Sequence, residues 1–309
     1  MKIMNLQNIP RGDKSRAKRM FISRFGADGR IIEADYSQLE VIIQAVLSGD
    51  RHMQQDIREG IDFHVKRLSA VTGEDYSSLK AKHRAGDDSV CQQRTLVKGF
   101  TFQRAYGAGA PAIAESTGLS LDQVKDLIRA EEKLYPDLSR FNDSVARAVA
   151  QSARDTNSFI KVAGVTCRLR EGDWFSPTGT YYRFIEKESP AFMQERGTYV
   201  SFSPTEMKNY PIQGMGGEIV QTMIGKLYRH FIKTKNYGGN AFLINTVHDC
   251  VLVDCHKDIL AQVANEVVII MEKVPNVFNY YFDMNITVPF PVEAEAGPNW
   301  YEMEHIAHG

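Results

Sequence analysis

The stretch Ile31-Ile32-Glu33-Ala34-Asp35-Tyr36-Ser37-Gln38-Leu39-Glu40 changes its period partway along. An apolar run reaches Asp35. From Leu39 to Leu47 apolar residues return at helical spacing, and Gly49 closes the stretch. The pattern reads as strand, turn and helix, with Asp35 at the C-terminal end of the strand. A second segment, Phe242-Leu243-Ile244-Asn245-Thr246-Val247-His248-Asp249-Cys250-Val251-Leu252-Val253, is β-rich on both sides of His248-Asp249. It reads as a hairpin with those two residues at the bend. Aspartates at the tips of two strands in one sheet can share a pair of divalent cations. Ions of the magnesium kind take carboxylate oxygens and keep positions open for water and phosphate. Two such ions about 3.5–4 Å apart activate an attacking oxygen and stabilise a leaving one. Read alone, Asp35 also serves as a helix-capping carboxylate and Asp249 as a turn residue.

A third segment runs Arg94-x3-Lys98-x3-Phe102-x3-Tyr106-Gly107. Each step of four overshoots a helical turn by about 40°, so the four side chains share one broad face. That face offers two cations, then aromatics. Arg94 can fork onto phosphate oxygens and Lys98 acts as a point charge. Aromatics beyond them suit a sugar and a base. Taken alone, the segment reads equally well as a solvated basic stripe with Phe102 in a core.

Together these segments resemble the family A DNA polymerases. Asp35 to Glu40 resembles the family's first palm motif, Arg94 to Gly107 its nucleotide-binding fingers helix, and Val247-His248-Asp249 its second catalytic palm motif. Asn5-Leu6-Gln7-Asn8-Ile9-Pro10 resembles the segment leading into the palm, and Gly297-Pro298-Asn299-Trp300 with His305 resembles the family's carboxyl terminus. Asp62-Phe63-His64 and Asn209-x3-Gln213-Gly214 also match. The matches span nearly the whole chain in the family's order.

The resemblance implies an α+β (α/β) fold: an antiparallel-sheet palm with an inserted helical fingers domain. The palm would take residues 1–51 and 205–309, the fingers insertion 52–160, and a β-rich connection 161–204. It implies template-directed DNA synthesis by two-metal-ion nucleotidyl transfer to a primer 3′-hydroxyl, with release of pyrophosphate. Asp35, Asp249 and the backbone carbonyl of Tyr36 would hold two Mg2+ ions, with Mn2+ as a substitute, and Lys98 would join the two aspartates in catalysis. Arg94, Lys98 and His64 would grip the triphosphate, although a single His beside an apolar stretch is often structural. Phe102 would stack near the sugar, and Tyr106 and Gly107 would meet the template side. Gln38, Asn209 and Gln213 suit the minor groove, where every correct pair presents acceptors at similar places, or are ordinary surface amides. His248 and Arg11 would contact DNA.

In the family the position of Glu40 blocks the ribose 2′-hydroxyl, and Ser37-x2-Glu40 is also a capping box in its own right. Single-subunit RNA polymerases share the palm but lack this glutamate, so they are the disfavoured relative. Three departures stand out. Cys250 replaces the family's usual Glu, and a thiol is a poor magnesium ligand. Thr205 replaces an Arg four residues before Asn209. The leading segment is one residue short, which puts the register of Arg11 in doubt. The match starts at the palm, so neither thumb nor 3′–5′ exonuclease is expected within the chain. The expectation is a split polymerase whose partner polypeptide carries them; a trimmed piece is the alternative. Cys250 and the missing thumb also leave open a non-catalytic DNA-binding subunit of a replication complex. The remaining partners expected are primer-template DNA and deoxynucleoside triphosphates, in the cytoplasm of a bacterial or phage-infected cell.

Composition is compatible with these expectations. The 309 residues are 43% hydrophobic and 24% charged, an ordinary globular balance able to form about two domains. The net charge of −1 does not advertise nucleic-acid binding. Local clusters, Arg11 to Arg19 and Lys80 to Arg84, would supply phosphate contacts, which need a cationic surface rather than a basic whole. Each cluster also reads as a solvated face. The four cysteines show neither CxxC nor zinc spacing and fit free thiols. No apolar run reaches membrane-spanning length, and Met1-Lys2-Ile3-Met4-Asn5 lacks a secretory apolar region. Further helices are expected from Ser120-x2-Gln123 (a capping box), over Leu138–Ala153, over Thr205–Phe231 and from about Lys257 to Lys273. Lys161–Phe202 reads as hairpins or loops, and Ile286–Glu295 as a closing strand.

Overall fold

The computed structural model describes residues 16–105 and 107–306. Arg11, the leading segment Asn5–Pro10 and Tyr106 lie outside the described residues. In chain order the elements are β1 (Gly29–Tyr36), α1 (Leu39–Ser48), α2 (Arg51–Arg58), α3 (Phe63–Thr72), α4 (Tyr76–Arg84), α5 (Asp88–Ala105), α6 (Ala110–Thr117), α7 (Leu121–Leu134) and α8 (Pro136–Gln151). Then come β2 (Arg154–Val162), β3 (Val165–Phe175), β4 (Tyr181–Ile185), β5 (Lys187–Glu188), α9 (Ala191–Gln194), β6 (Val200–Ser201) and α10 (Pro204–Lys233). Strands β7 (Ala241–Val247) and β8 (Cys250–His256), helices Leu260–Met271 and Val274–Phe282, and strands β9 (Val292–Gly297) and β10 (Glu304–His305) complete it. The chain divides into two compact units, Met1–Leu39 with Met215–Gly309, and Glu40–Gly214.

The first unit is built on an antiparallel sheet of order β10-β9-β1-β8-β7. Alternation along β1 sends Ile32, Ala34 and Tyr36 to one face and Glu33 and Asp35 to the other. The first face is closed by Val251, Val253, Val292 and Ala294, all buried, against the helix Leu260–Met271. That helix carries Val263, Ala264, Val267, Val268 and Met271 at helical spacing, and every one is buried. Each large aliphatic side chain there contributes about 1.5–3 kcal/mol relative to exposure.

Two expectations change here. The closing strand begins at Val292 rather than Ile286. Ile286, Val288 and Phe290 are buried, but Pro289 and Pro291 lack the N–H a ladder needs. The helix expected from Lys257 starts at Leu260, after a short 3-10 turn over Lys257–Ile259.

The second unit is mainly helical. Val65 and Leu68 of α3, Val90, Val97 and Phe100 of α5, Ile113 of α6, and Val124 and Leu127 of α7 form one buried cluster. The Ser120–Gln123 capping box opens α7 as read. The sheet β2-β3-β4 packs Phe184 on Val145 and Val149 of α8. Strand β2 starts at Arg154, within the 52–160 stretch read as helical, because its Arg154, Phe159 and Ile160 pair with β3 rather than extend α8. No helix among the described residues is long and apolar enough to cross a membrane.

Candidate active site

Asp35 is the penultimate residue of β1, opposite Cys250 on β8 and opposite Glu293 on β9. Directly paired residues share a face, so Glu33, Asp35, Cys250, Glu293 and Glu295 belong to the face away from the helix Leu260–Met271. The β7–β8 pair closes at Val247 and Cys250, which leaves His248 and Asp249 as a two-residue loop. His248 has φ 57, and among these two loop residues only it lies in the left-handed region. That is the pattern of a type II′ hairpin, whose first loop position favours glycine. A register shift between Leu243 and Asn245 marks a bulge in β7, a feature common beside active sites.

Cys250 is fully buried. Burial, followed by the negative charges of Glu33, Asp35 and Asp249, pushes its thiol up to about 12. These three carboxylates are therefore its electrostatic neighbours, and the thiol stays neutral among them. The Trp300 indole Nε1–H donates to Glu33 at 2.5 Å, and Lys18 stands 3.8 Å from the same oxygen. The Ser37 hydroxyl donates to Glu293 at 2.8 Å.

Tyr36 turns its ring into the core, where its hydroxyl donates to the Met271 carbonyl at 2.9 Å. Only its backbone is left for the Asp35 side. Among the described residues no group of three or more His, Cys, Asp or Glu is arranged to hold a metal. The hard oxygens of Asp35 and Asp249 suit magnesium, and the neutral thiol adds no ligand to them.

Gln38, between β1 and α1, has φ 55. This corrects the capping-box reading of Ser37 and Glu40. A box would need Gln38 in helical conformation and the Ser37 amide free for Glu40, but the helix starts at Leu39 and that amide donates to the Pro291 carbonyl at 2.9 Å.

In the second unit, Asp62 caps α3 by accepting from the His64 and Val65 amides, and its other oxygen pairs with Arg94 at 2.7 Å from Nη2. Arg94 Nε donates to the same oxygen at 2.9 Å. Burial acts to raise the Asp62 carboxyl, but the Arg94 bonds and the Val65 amide outweigh it and hold it below its ordinary value. Lys98 is exposed, with Nζ 5.7 Å from the Phe102 ring centre, and Phe102 is 46% exposed. Arg94, Lys98 and Phe102 thus share one side of α5, and Val90, Val97 and Phe100 face the core.

His64 lies against this helix, its Nδ1 3.2 Å from the Thr101 hydroxyl. Burial, then the charge of Arg67, lowers it to about 4, so it is a neutral hydrogen-bonding group rather than a third cation. Asn209 is half-buried and Gln213 exposed on α10, one on each side of Pro211. Gly107 has φ +77, and a Cβ there would lie 2.7 Å from the Thr205 Cα. Thr205 donates its hydroxyl to the Gly107 carbonyl at 3.1 Å. The position read as having lost an arginine is therefore packed on the end of the fingers-like helix. Glu40 lies in the first turn of α1 and is half-buried.

Glu33 and Glu293, beside Asp35, were not among the sequence candidates. The two-residue spacing already placed Glu33 on the Asp35 face; Glu293 needed the strand register.

A family model described as DNA polymerase family A matches residues 1–302. The chain belongs to that family. Among its relatives, the DNA polymerase I of Chloroflexus aurantiacus is 25% identical over 307 residues, covering 99% of this chain and 28% of the relative. The DNA polymerase of Bacillus phage SP01 is 27% identical over 285 residues, covering 92% of this chain and 27% of the relative. The chain thus spans under a third of the length of these relatives. A solved structure, the POL domain of Pol1 from M. smegmatis in complex with DNA primer-template and dNTP, shares the fold. Its TM-score is 0.64 at 20% identity, over 97% of this chain and 45% of that one.

Proposed function

We propose that this chain adds deoxynucleotides to a primer 3′-hydroxyl under the direction of a DNA template. The observation that carries the reading is the placing of Asp35 and Asp249 at neighbouring strand ends, with Cys250 between them in the pairing. The unit with the five-stranded sheet is the palm, and the helical unit carries the fingers.

Asp35, Asp249 and the Tyr36 carbonyl would hold two magnesium ions, or manganese in their place. When bound, such ions activate the primer hydroxyl and neutralise charge on the α-phosphate and the leaving pyrophosphate. Arg94 and Lys98 bind the triphosphate, and cations already in place gain most as charge builds on pyrophosphate. Asp62 holds the Arg94 guanidinium in one orientation. His64, neutral, donates its Nδ1–H to Thr101, whose hydroxyl donates to the Val97 carbonyl, and so adds no charge beside Arg94 and Lys98. Phe102 packs on the sugar, and Glu40 excludes the 2′-hydroxyl by bulk. Gln38, Asn209 and Gln213 read the minor groove, while His248, Gly107, Arg11 and Tyr106 contact primer-template. Its substrates are primer-template DNA and deoxynucleoside triphosphates, in the cytoplasm of a bacterial or phage-infected cell.

Primer extension on a gel, with magnesium and four deoxynucleotides, tests the reading. Wild type should extend. Asp249→Asn and Asp35→Asn should lose at least about 10³-fold with the fold intact by circular dichroism. Cys250 favours one second reading, a subunit that binds primer-template without catalysis. Binding unaffected by magnesium, with no extension even after thumb-bearing proteins are added, would select it.

A further inference from the structure

We propose that the Glu40–Gly214 unit holds a compact inorganic anion, phosphate or chloride, in the cavity walled by Arg67, Arg104 and Lys208. The cavity measures about 30 Å³ and is also lined by Glu131, Gln44 and Asn142. Its size suits a small ion rather than a nucleotide.

Arg67 is the first reason. Its side chain is 1% exposed. Nε and Nη2 both donate to one oxygen of Glu131, at 3.1 and 2.8 Å. Its Nη1 is buried and has no hydrogen-bond partner. A buried charged donor without an acceptor is strongly disfavoured, so an acceptor belongs there.

Charge is the second reason. Three cations, Arg67, Arg104 and Lys208, line the cavity against the single carboxylate of Glu131. Glu131 is already shared, its other oxygen accepting from Arg104 Nε at 3.3 Å. Arg104 Nη2 reaches only the exposed Glu132, at 3.4 Å. Burial, then the charge of Arg104, makes the Lys208 ammonium less favourable than usual, and the carboxylate that most opposes this, Asp143, is exposed. Water could accept from Arg67 Nη1 but would leave this excess of positive charge. An anion answers both, with guanidinium forks, an ammonium and side-chain amides as donors.

Such an ion would join α3, α5, α7, α8 and α10. It would brace the helix that carries Arg94 and Lys98, and its binding does not depend on polymerase activity.

The test is thermal unfolding of the full chain at fixed ionic strength, replacing gluconate stepwise by phosphate or by chloride. A saturable rise in Tm is expected with one of them; which one identifies the ion as oxyanion or halide. Lys208→Gln should weaken the apparent affinity at least roughly tenfold, and Lys98→Met should leave it unchanged. Arg67→Met should abolish the rise, and Lys208→Gln decides if that variant does not fold. The idea fails if no anion gives a saturable rise. It also fails if Lys208→Gln responds like wild type, or if Lys98→Met removes the response, which would place the ion on the outer face of α5.

Discussion

Asp35 and Cys250 stand directly opposite each other across β1 and β8, a carboxylate facing a fully buried neutral thiol. The pairing puts a small uncharged group where Glu33, Asp35 and Asp249 already crowd negative charge. The neutral thiol adds no further charge there, and under the proposed function Asp35 and Asp249 would be the two carboxylates that hold cations.

Cys250→Glu should therefore make the fold depend on metal. A third carboxylate at this buried position should destabilise the chain by on the order of 3 kcal/mol in chelator. Magnesium should restore most of the loss and raise Tm more than it does for wild type. Calorimetry with and without magnesium reads this directly; a loss that magnesium leaves untouched would mean these groups share no cation.

His64 gives the fold a pH dependence of known sign. Its folded value of about 4 lies below its ordinary 6.5, so the unfolded chain binds the extra proton between these values. Its contribution is fully present above pH 6.5 and is lost as pH falls towards 4. Asp62, also held low, acts in the same direction at more acidic pH. Tm against pH should fall from 6.5 to 4 in wild type and more gently in His64→Gln. Identical slopes would show that His64 titrates normally.

Gly107→Ala should be costly without touching any charge. The position has φ +77, and the new Cβ would meet the Thr205 Cα at 2.7 Å and its carbonyl oxygen at 2.8 Å. Both contacts are backbone, so no flexible side chain can yield. Left-handed strain plus the clash should cost about 2–3 kcal/mol, read as a lower urea midpoint with unchanged slope. An unaltered midpoint would show that the α5 terminus and Thr205 shift apart freely.

Phe102 and Glu40 should set sugar choice. Phe102→Tyr supplies a hydroxyl that can stand in for a missing 3′-hydroxyl, so dideoxynucleotide use should rise at least about tenfold relative to deoxynucleotides. An unchanged ratio in competitive primer extension would remove Phe102 from the sugar site. Glu40→Ala should raise ribonucleotide incorporation relative to deoxynucleotides; an equal fall in both would leave Glu40 a purely structural role.

The sequence by itself determined the local pieces and their order. The change of period after Asp35, the β-rich arms around His248-Asp249, the capping box at Ser120 and the four-residue beat on α5 act through neighbours a few residues apart, which is why they were legible. Local pattern misled where a local rule met a distant partner. Ser37 and Glu40 have capping-box spacing, yet the Ser37 amide donates to the distant Pro291 carbonyl and Gln38 leaves the helical region. Only the tertiary structure decided which groups surround the candidate site. Strand register set Asp35 against Cys250 and Glu293, and burial made His64 neutral and Cys250 a thiol. Helix packing brought Arg67, Arg104 and Lys208 to one cavity. Register, burial and the electrostatics they create depend on residues far apart in the chain, and no window of sequence contains them.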